Sequence, residues 1–212
     1  MGSAFTIPCI ENGNDVTLIG THLENDLIDV ISKSAHPALK VALPNKLKIE
    51  KFKKIGDYSD SDLIVCAVSS LGVDWFIDRI SQVKNKKLNI VLLTKGLAIQ
   101  GGKLITISHK IKSELKKKGF NDIVVSAIKG PCLAAGLANK MRTGTVIANE
   151  NIEVSKLIQK KITTEYYSAE ISDDIEGVEF CGAIKNIYSM LIGASEGLSN
   201  PNAPESIKSK YF

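Results

Sequence analysis

The chain has 212 residues, 44% of them hydrophobic, and a net charge of +4 from 27 basic and 23 acidic side chains. This composition is typical of a soluble globular core, and the basic residues are scattered, so no nucleic-acid partner is predicted. The sequence contains neither an apolar run long enough for a membrane span nor a signal peptide. The four cysteines lack metal-ligand spacing, so we expect reduced thiols, no metal site and a cytoplasmic protein.

Short apolar runs rich in Val, Ile and Leu alternate with longer segments of helical period. Runs that are apolar at nearly every position are typical of strands buried on both faces, as in parallel sheets. The alternation predicts an α/β fold with a Rossmann-like, doubly wound parallel sheet. The predicted strands are Asp15 to Ile19, Leu63 to Val68, Leu88 to Thr94, Asp122 to Ile128, and Gly144 to Ala148.

Three helices are predicted from apolar spacing. One carries Leu104 to Leu115 on its buried face and ends at Gly119, and a second begins near Asn151. A third, long helix runs from Asp173 to Leu198. We therefore expect a dinucleotide-binding domain over residues 1–172 and the beginning of an all-helical domain over residues 173–212.

Ligands of doubly wound sheets bind beyond the carboxyl ends of the strands. Gly2 opens a helix that is followed by a strand, the order found in the second half of a dinucleotide site; an ordinary N-terminal turn or tag remnant is the alternative. Ser69 lies in a turn after one strand and Lys95 follows the next, although most lysines are simply solvated. Gly130 permits a tight turn facing a ligand, but is also common in plain loops.

Lys185 occupies the same face of the long predicted helix as Cys181, Tyr188 and Ile192. A lysine in apolar surroundings should have a lowered pKa, which would suit it to proton exchange with a substrate hydroxyl. The alternative is a lysine whose stem packs while its ammonium reaches water.

Four segments in chain order resemble the NAD(P)-dependent glycerol-3-phosphate dehydrogenase family. They are Gly2-Ser3-Ala4, Thr94-Lys95-Gly96-Leu97, Gly130 to Ala134, and Gly177-Val178-Glu179 through Lys185-Asn186. The resemblance covers essentially the whole chain, and the last segment is the most specific.

The resemblance implies that Lys185 is the general acid/base, taking the proton of a secondary alcohol as hydride leaves for the nicotinamide. It also implies that Lys95 lies near the substrate phosphate and the cofactor, and that Asn186 contacts the substrate. The same resemblance implies that Gly2, Ser3 and Ala134 contact the dinucleotide. It also implies that Gly130 and Cys132 lie beside the substrate.

Such an enzyme would interconvert glycerol 3-phosphate and dihydroxyacetone phosphate with NAD or NADP, and a homodimer is left open. The family's first strand and earlier glycines do not precede Met1, and the chain stops at Phe212, before the family's phosphate-gripping segment. We therefore expect truncation at both ends. Two alternatives remain: another two-domain hydroxyacid dehydrogenase, and a catalytically incomplete dinucleotide-binding fragment.

Overall fold

The computed structural model describes residues 1–52, 58, 60–83 and 87–199, so residues 200–212 of the predicted helical domain lie outside the described residues. Strands and helices alternate along most of this length. The helices are α1 (Gly2–Glu11), α2 (Asn25–Ile31), α3 (Val73–Ile80), α4 (Ile107–Lys117), α5 (Ala134–Ala138), α6 (Ile152–Ile162) and α7 (Ile175–Ser199). The strands are β1 (Thr17–Ile19), β2 (Lys48–Glu50), β3 (Ile64–Cys66), β4 (Lys87–Leu92), β5 (Leu97–Gln100), β6 (Lys103–Thr106), β7 (Asp122–Lys129), β8 (Thr143–Ala148) and β9 (Tyr167–Ser172).

A five-stranded sheet in the order β3-β4-β7-β8-β9 forms the centre of the fold. All pairings in it are parallel except that of β7 with β8. β1 and β2 form a separate parallel pair, and β5 and β6 form an antiparallel hairpin. The predicted Rossmann-like α/β architecture is therefore confirmed with a mostly parallel sheet, in which β8 runs antiparallel to β7.

The sheet is covered by helices on both faces. Successive side chains of β4 alternate between them: Ile90 and Leu92 pack with residues of α3 and α4, whereas Val91 packs with residues of α1 and α6. All three side chains are almost fully buried. The continuous apolar run that predicted β4 is thus explained by burial on both sides.

The helix boundaries differ from the sequence prediction in one place. Leu104 was expected on the buried face of α4, but it lies in the β5–β6 hairpin and is 58% exposed. The helix begins at Ile107, with the Thr106 hydroxyl accepting a hydrogen bond from the amide of His109. At the other end the predicted Gly119 follows the last turn with a φ of 85°, which glycine adopts without strain.

The direction of β8 and β9 determines where α7 lies. Because both run opposite to β7, the chain leaves β9 at the far end of the sheet, and α7 returns along β7 towards the carboxyl edge of β3, β4 and β7. Ile175 at the start of α7 packs against Ala127 and Ala148, and Gly182 packs on Lys129 at the end of β7. The later residues of α7 therefore reach the same edge as the loops after β3 and β4. In the described part of the chain, no helix has the length and apolar character needed to cross a membrane.

Candidate active site

The first turn of α1 and the loops after β3 and β4 meet at the carboxyl edge of the sheet. A Cβ on Gly2 would lie 3.0 Å from the Cβ of Ala67, just beyond β3, so the helix start is pressed against this edge. Ser69 precedes a short 3₁₀ helix (Ser70–Gly72), and Ser70 lies 3.3 Å from the Cβ position of Gly96. The predicted cofactor residues Gly2, Ser3 and Ser69 therefore lie along one stretch of the carboxyl edge of the sheet, and we call this surface the ledge.

Lys95 and Lys185 come together at this edge although 90 positions of sequence separate them. Partial desolvation, followed by repulsion from the Lys185 ammonium, lowers the pKa of Lys95. The Cys132 thiol is 5% exposed and lies within electrostatic reach of both ammonium groups; burial nonetheless raises its pKa. The structure thus collects two cations and a buried thiol from three separate segments of the chain.

The sequence left open whether Lys185 lies in apolar surroundings or reaches water. Cys181 is exposed, and Tyr188 and Ile192 on the same helix face are 59% and 60% exposed, so the described residues do not enclose Lys185 in an apolar environment. Helical spacing identifies residues that share a face but not whether another element covers that face. What distinguishes Lys185 is its proximity to Lys95, and Asn186 beside it is exposed.

Gly130 and Ala134 lie on either side of Cys132. Ala134 begins α5 and packs against the hydrophobic cluster that contains Ala4 of α1, which places it next to the α1 part of the ledge. Gly130 follows β7, and a Cβ there would lie 2.9 Å from both the Gly144 carbonyl oxygen and the Thr145 Cα. Glycine is needed at position 130 because the backbone of β8 passes directly over it.

Replacing Gly130 with alanine should therefore lower the free energy of unfolding by about 1–3 kcal/mol, the usual cost of overpacking a site that cannot relax. Urea denaturation at pH 7 measures this change. The matched control is Gly136→Ala in α5, where the nearest atom would be 3.9 Å from the added Cβ and helix propensity favours alanine. Equal stability of the two variants would show that the backbone around Gly130 moves aside freely.

Two buried charged residues that sequence reasoning had not placed in the site lie directly beneath it. Lys129 is 3% exposed and Glu179 is fully buried. The Lys129 ammonium donates a hydrogen bond to the Thr94 carbonyl oxygen, and burial lowers its pKa to about 8 despite the opposing attraction of Glu179. Lys129 directly precedes one recognised motif and Glu179 lies within another, but nothing in the sequence showed that a lysine at the end of an apolar strand would be buried.

Among the described residues, no group of three or more histidine, cysteine, aspartate or glutamate side chains could hold a metal ion. The site instead consists of ammonium groups, a helix start and closely packed glycines at the carboxyl edge of a mostly parallel sheet. These features define a Rossmann-type α/β domain with a long helix that returns to its ligand-binding edge.

Comparison with known proteins gives the family. Residues 1–155 match the model of the N-terminal domain of NAD-dependent glycerol-3-phosphate dehydrogenase, and the chain belongs to this family. It is 30% identical over 204 residues to the NADP(+)-dependent glycerol-3-phosphate dehydrogenase of Archaeoglobus fulgidus, with 93% of this chain and 58% of the relative covered. It is also 30% identical to glycerol-3-phosphate dehydrogenase [NAD(P)+] of Wigglesworthia glossinidia brevipalpis, with 97% and 61% covered.

The fold agrees with that assignment. The crystal structure of glycerol-3-phosphate dehydrogenase from Coxiella burnetii superposes with a TM-score of 0.76 at 26% sequence identity, and the match covers 94% of this chain and 60% of that one. The chain therefore spans about 60% of the length of each of these three proteins.

Proposed function

We propose that this chain supplies the cofactor-binding half and the first catalytic helix of an enzyme that interconverts glycerol 3-phosphate and dihydroxyacetone phosphate with NAD or NADP. The observation that carries the proposal is the convergence of Lys95 and Lys185 at the carboxyl edge of the sheet. In the family, the lysine of the Lys185 motif is the general acid/base, and the lysine of the Lys95 motif lies near the substrate phosphate. The domain boundary proposed for this arrangement lies near residue 172, where β9 ends and α7 follows.

The described residues fit a dinucleotide. The ten-residue helix α1 begins at Gly2, and its free backbone amides and helix dipole favour an anionic group such as a pyrophosphate. A side chain at Gly2 would crowd Ala67, so glycine at position 2 lets the start of α1 pack closely against the residues that follow β3. Ser3, Ser69 and Ala134 border the same ledge and are proposed to contact the dinucleotide.

The nicotinamide ring of such a cofactor would accept or donate the hydride. In the proposed mechanism, the Lys185 amine takes the hydroxyl proton when the alcohol is oxidised and returns it when the ketone is reduced. Lys95 supplies a positive charge for the substrate phosphate, while Asn186, Gly130 and Cys132 border the bound substrate. Partial desolvation of Lys95 strengthens its attraction for an anion, because less water screens the charge.

The test is oxidation of NADH and of NADPH by the purified chain in the presence of dihydroxyacetone phosphate. Turnover that prefers this substrate to unphosphorylated dihydroxyacetone and to short keto acids would support the proposal. Preference for a keto acid would instead indicate a different hydroxyacid dehydrogenase. Cofactor binding without any turnover would indicate a dinucleotide-binding module that lacks part of the catalytic apparatus.

Between the two cofactors, the residues after β1 favour NAD. In this fold the ribose of the dinucleotide lies beyond that strand, and an acidic side chain there accepts hydrogen bonds from the ribose hydroxyls and repels a 2′-phosphate. The Glu24 carboxylate is held at this place by the backbone amide of Thr21, 2.8 Å from its Oε2. The sequence alone had left the choice between NAD and NADP open.

We expect Glu24→Gln to lower the ratio of the NADP to the NAD dissociation constant about five- to tenfold, the effect of removing one charge near a phosphate in a largely aqueous setting. Titration calorimetry with each oxidised cofactor measures the ratio. Glu170→Gln, an exposed change on β9, is the control and should leave the ratio unaltered. An unchanged ratio in Glu24→Gln would remove this residue from cofactor selection.

Two broader proposals concern the setting of the protein. All four cysteines are free thiols, which supports the proposed cytoplasmic location. Ile187, Leu191 and Ile192 of α7 are each more than half exposed, and this apolar surface supports association into a homodimer. Light scattering of the purified chain across a concentration series tests the second proposal, and a monomer throughout the series would contradict it.

A further inference from the structure

Lys129 is a buried cation for which the proposed reaction has no use. Its stem runs beneath α7, where the Cβ position of Gly182 lies only 3.1–3.2 Å from three of its carbon atoms. Its ammonium donates to the Thr94 carbonyl oxygen, and its own carbonyl oxygen accepts a hydrogen bond from the Thr145 hydroxyl at 2.8 Å. One side chain thereby joins the end of β7 to the turn after β4 and to α7.

Glu179 extends this connection to a second helix. Its Oε2 accepts a hydrogen bond of 3.2 Å from the Ser108 amide in the first turn of α4, while its buried Oε1 has no hydrogen-bond partner in the described structure. Its negative charge favours the charged form of Lys129, and so does the Cys66 thiol, whereas Lys95 opposes it. These are the ionisable groups that act on Lys129.

The turn that carries Lys95 is fixed from two sides. The Thr94 hydroxyl donates a 2.8 Å hydrogen bond to the Val68 carbonyl oxygen, which ties the turn to the loop after β3. The Lys129 ammonium binds the Thr94 carbonyl oxygen from the side of α7. This second contact relates the position of Lys95 to the helix that carries Lys185, because the Lys129 stem packs against Gly182, which precedes Lys185 by about one turn.

We propose that Lys129 is a positioning residue of the two-lysine site: its ammonium binds the Thr94 carbonyl oxygen while its stem packs against Gly182, so that it fixes the turn after β4 against α7 and sets the separation of Lys95 from Lys185. The inference rests on the proposed role of these two lysines. Lys129 itself is too deeply buried to touch a substrate, and it acts only through the groups that it holds.

The test measures the electrostatic coupling between Lys95 and Lys185 in the full chain, without cofactor, substrate or turnover. Lysine side chains labelled with ¹³C and ¹⁵N are titrated by NMR, with resonances assigned from single substitutions. Lys185→Met should raise the titration midpoint of Lys95 because it removes a neighbouring positive charge. Lys103→Met, an exposed change on β6, is the charge-matched control and should leave that midpoint unmoved.

The same pair of measurements is then repeated in the Lys129→Met background. If Lys129 fixes the turn, Lys185→Met no longer moves the Lys95 titration midpoint when Lys129 is methionine. In the Lys129→Arg background, which keeps a hydrogen-bond donor for the Thr94 carbonyl oxygen, Lys185→Met should again raise the Lys95 midpoint. A stabilising role alone would lower the melting temperature but leave the coupling intact. An undiminished coupling in folded Lys129→Met would therefore overturn the proposal.

If Lys129→Met does not fold, the double variant Lys129→Met/Glu179→Gln takes its place in the test. This variant removes both buried charges together, so that no buried charge remains without an opposite one nearby. Loss of the coupling in this variant supports the proposal, and retention overturns it. The outcome is independent of the enzymatic assignment. A chain that fails to reduce dihydroxyacetone phosphate can still show the coupling, and an active chain can lack it.

Discussion

Replacing Lys185 with alanine is expected to lower turnover of dihydroxyacetone phosphate by about 10²- to 10⁴-fold, the usual contribution of a positioned acid/base group. The dissociation constant of the cofactor should stay within about twofold, because the proposed dinucleotide contacts come from α1, the loop at Ser69 and α5 rather than from α7. Steady-state kinetics with NADH and NADPH, together with fluorescence titration of each cofactor, separate the two effects.

Lys185→Arg distinguishes proton transfer from charge alone. An arginine keeps the positive charge near the substrate but does not give up its proton at accessible pH, so this variant should be nearly as inactive as Lys185→Ala. Lys160→Ala, which removes an exposed lysine from α6, is the control. Substantial turnover by Lys185→Arg would show that residue 185 acts through its charge, and the acid/base role would have to be assigned elsewhere.

The sequence predicted the parts of the fold that depend on local pattern. β4 and β7 contain runs of consecutive apolar residues because helices cover both faces of the sheet. α6 begins after Asn151, whose side-chain oxygen accepts a hydrogen bond from the Glu153 amide at 3.1 Å. The β5–β6 hairpin was missed because Leu104 also fits a helical spacing with Ile107.

The direction of the strands and the burial of charged residues could not be predicted from the local sequence pattern. The antiparallel entry of β8 depends on the route of the chain between β7 and β8, and this reversal is what returns α7 to the ligand-binding edge. The motif residues Lys95 and Lys185 could be named from the family resemblance, but their contact could not. Lys129 and Glu179 are hydrophilic residues whose burial results from tertiary packing, and a charged residue in a sequence is ordinarily predicted to be solvated.

Lys129 and Glu179 make a further stability prediction. Lys129→Met should lower the free energy of unfolding by about 1–3 kcal/mol at pH 7, because it leaves the buried Thr94 carbonyl oxygen without its donor, and it also removes a cation that attracts the buried Glu179. Glu179→Gln added to this variant should recover part of the loss, since a buried amide does not need a nearby cation. Urea denaturation of the wild type, both single variants and the double variant gives the coupling free energy directly.

The pH dependence of the same experiment has a defined sign. Burial lowers the pKa of Lys129 from its usual 10.5 to about 8 in the folded chain, so between these two values the unfolded chain carries the extra proton. Stability contributed by this group therefore rises with pH across the window from about 8 to 10.5. The wild type should gain stability relative to Lys129→Met/Glu179→Gln between pH 7.5 and pH 10. A parallel pH dependence of the two proteins would mean that Lys129 is not desolvated, which would contradict the buried position from which it binds the Thr94 carbonyl oxygen.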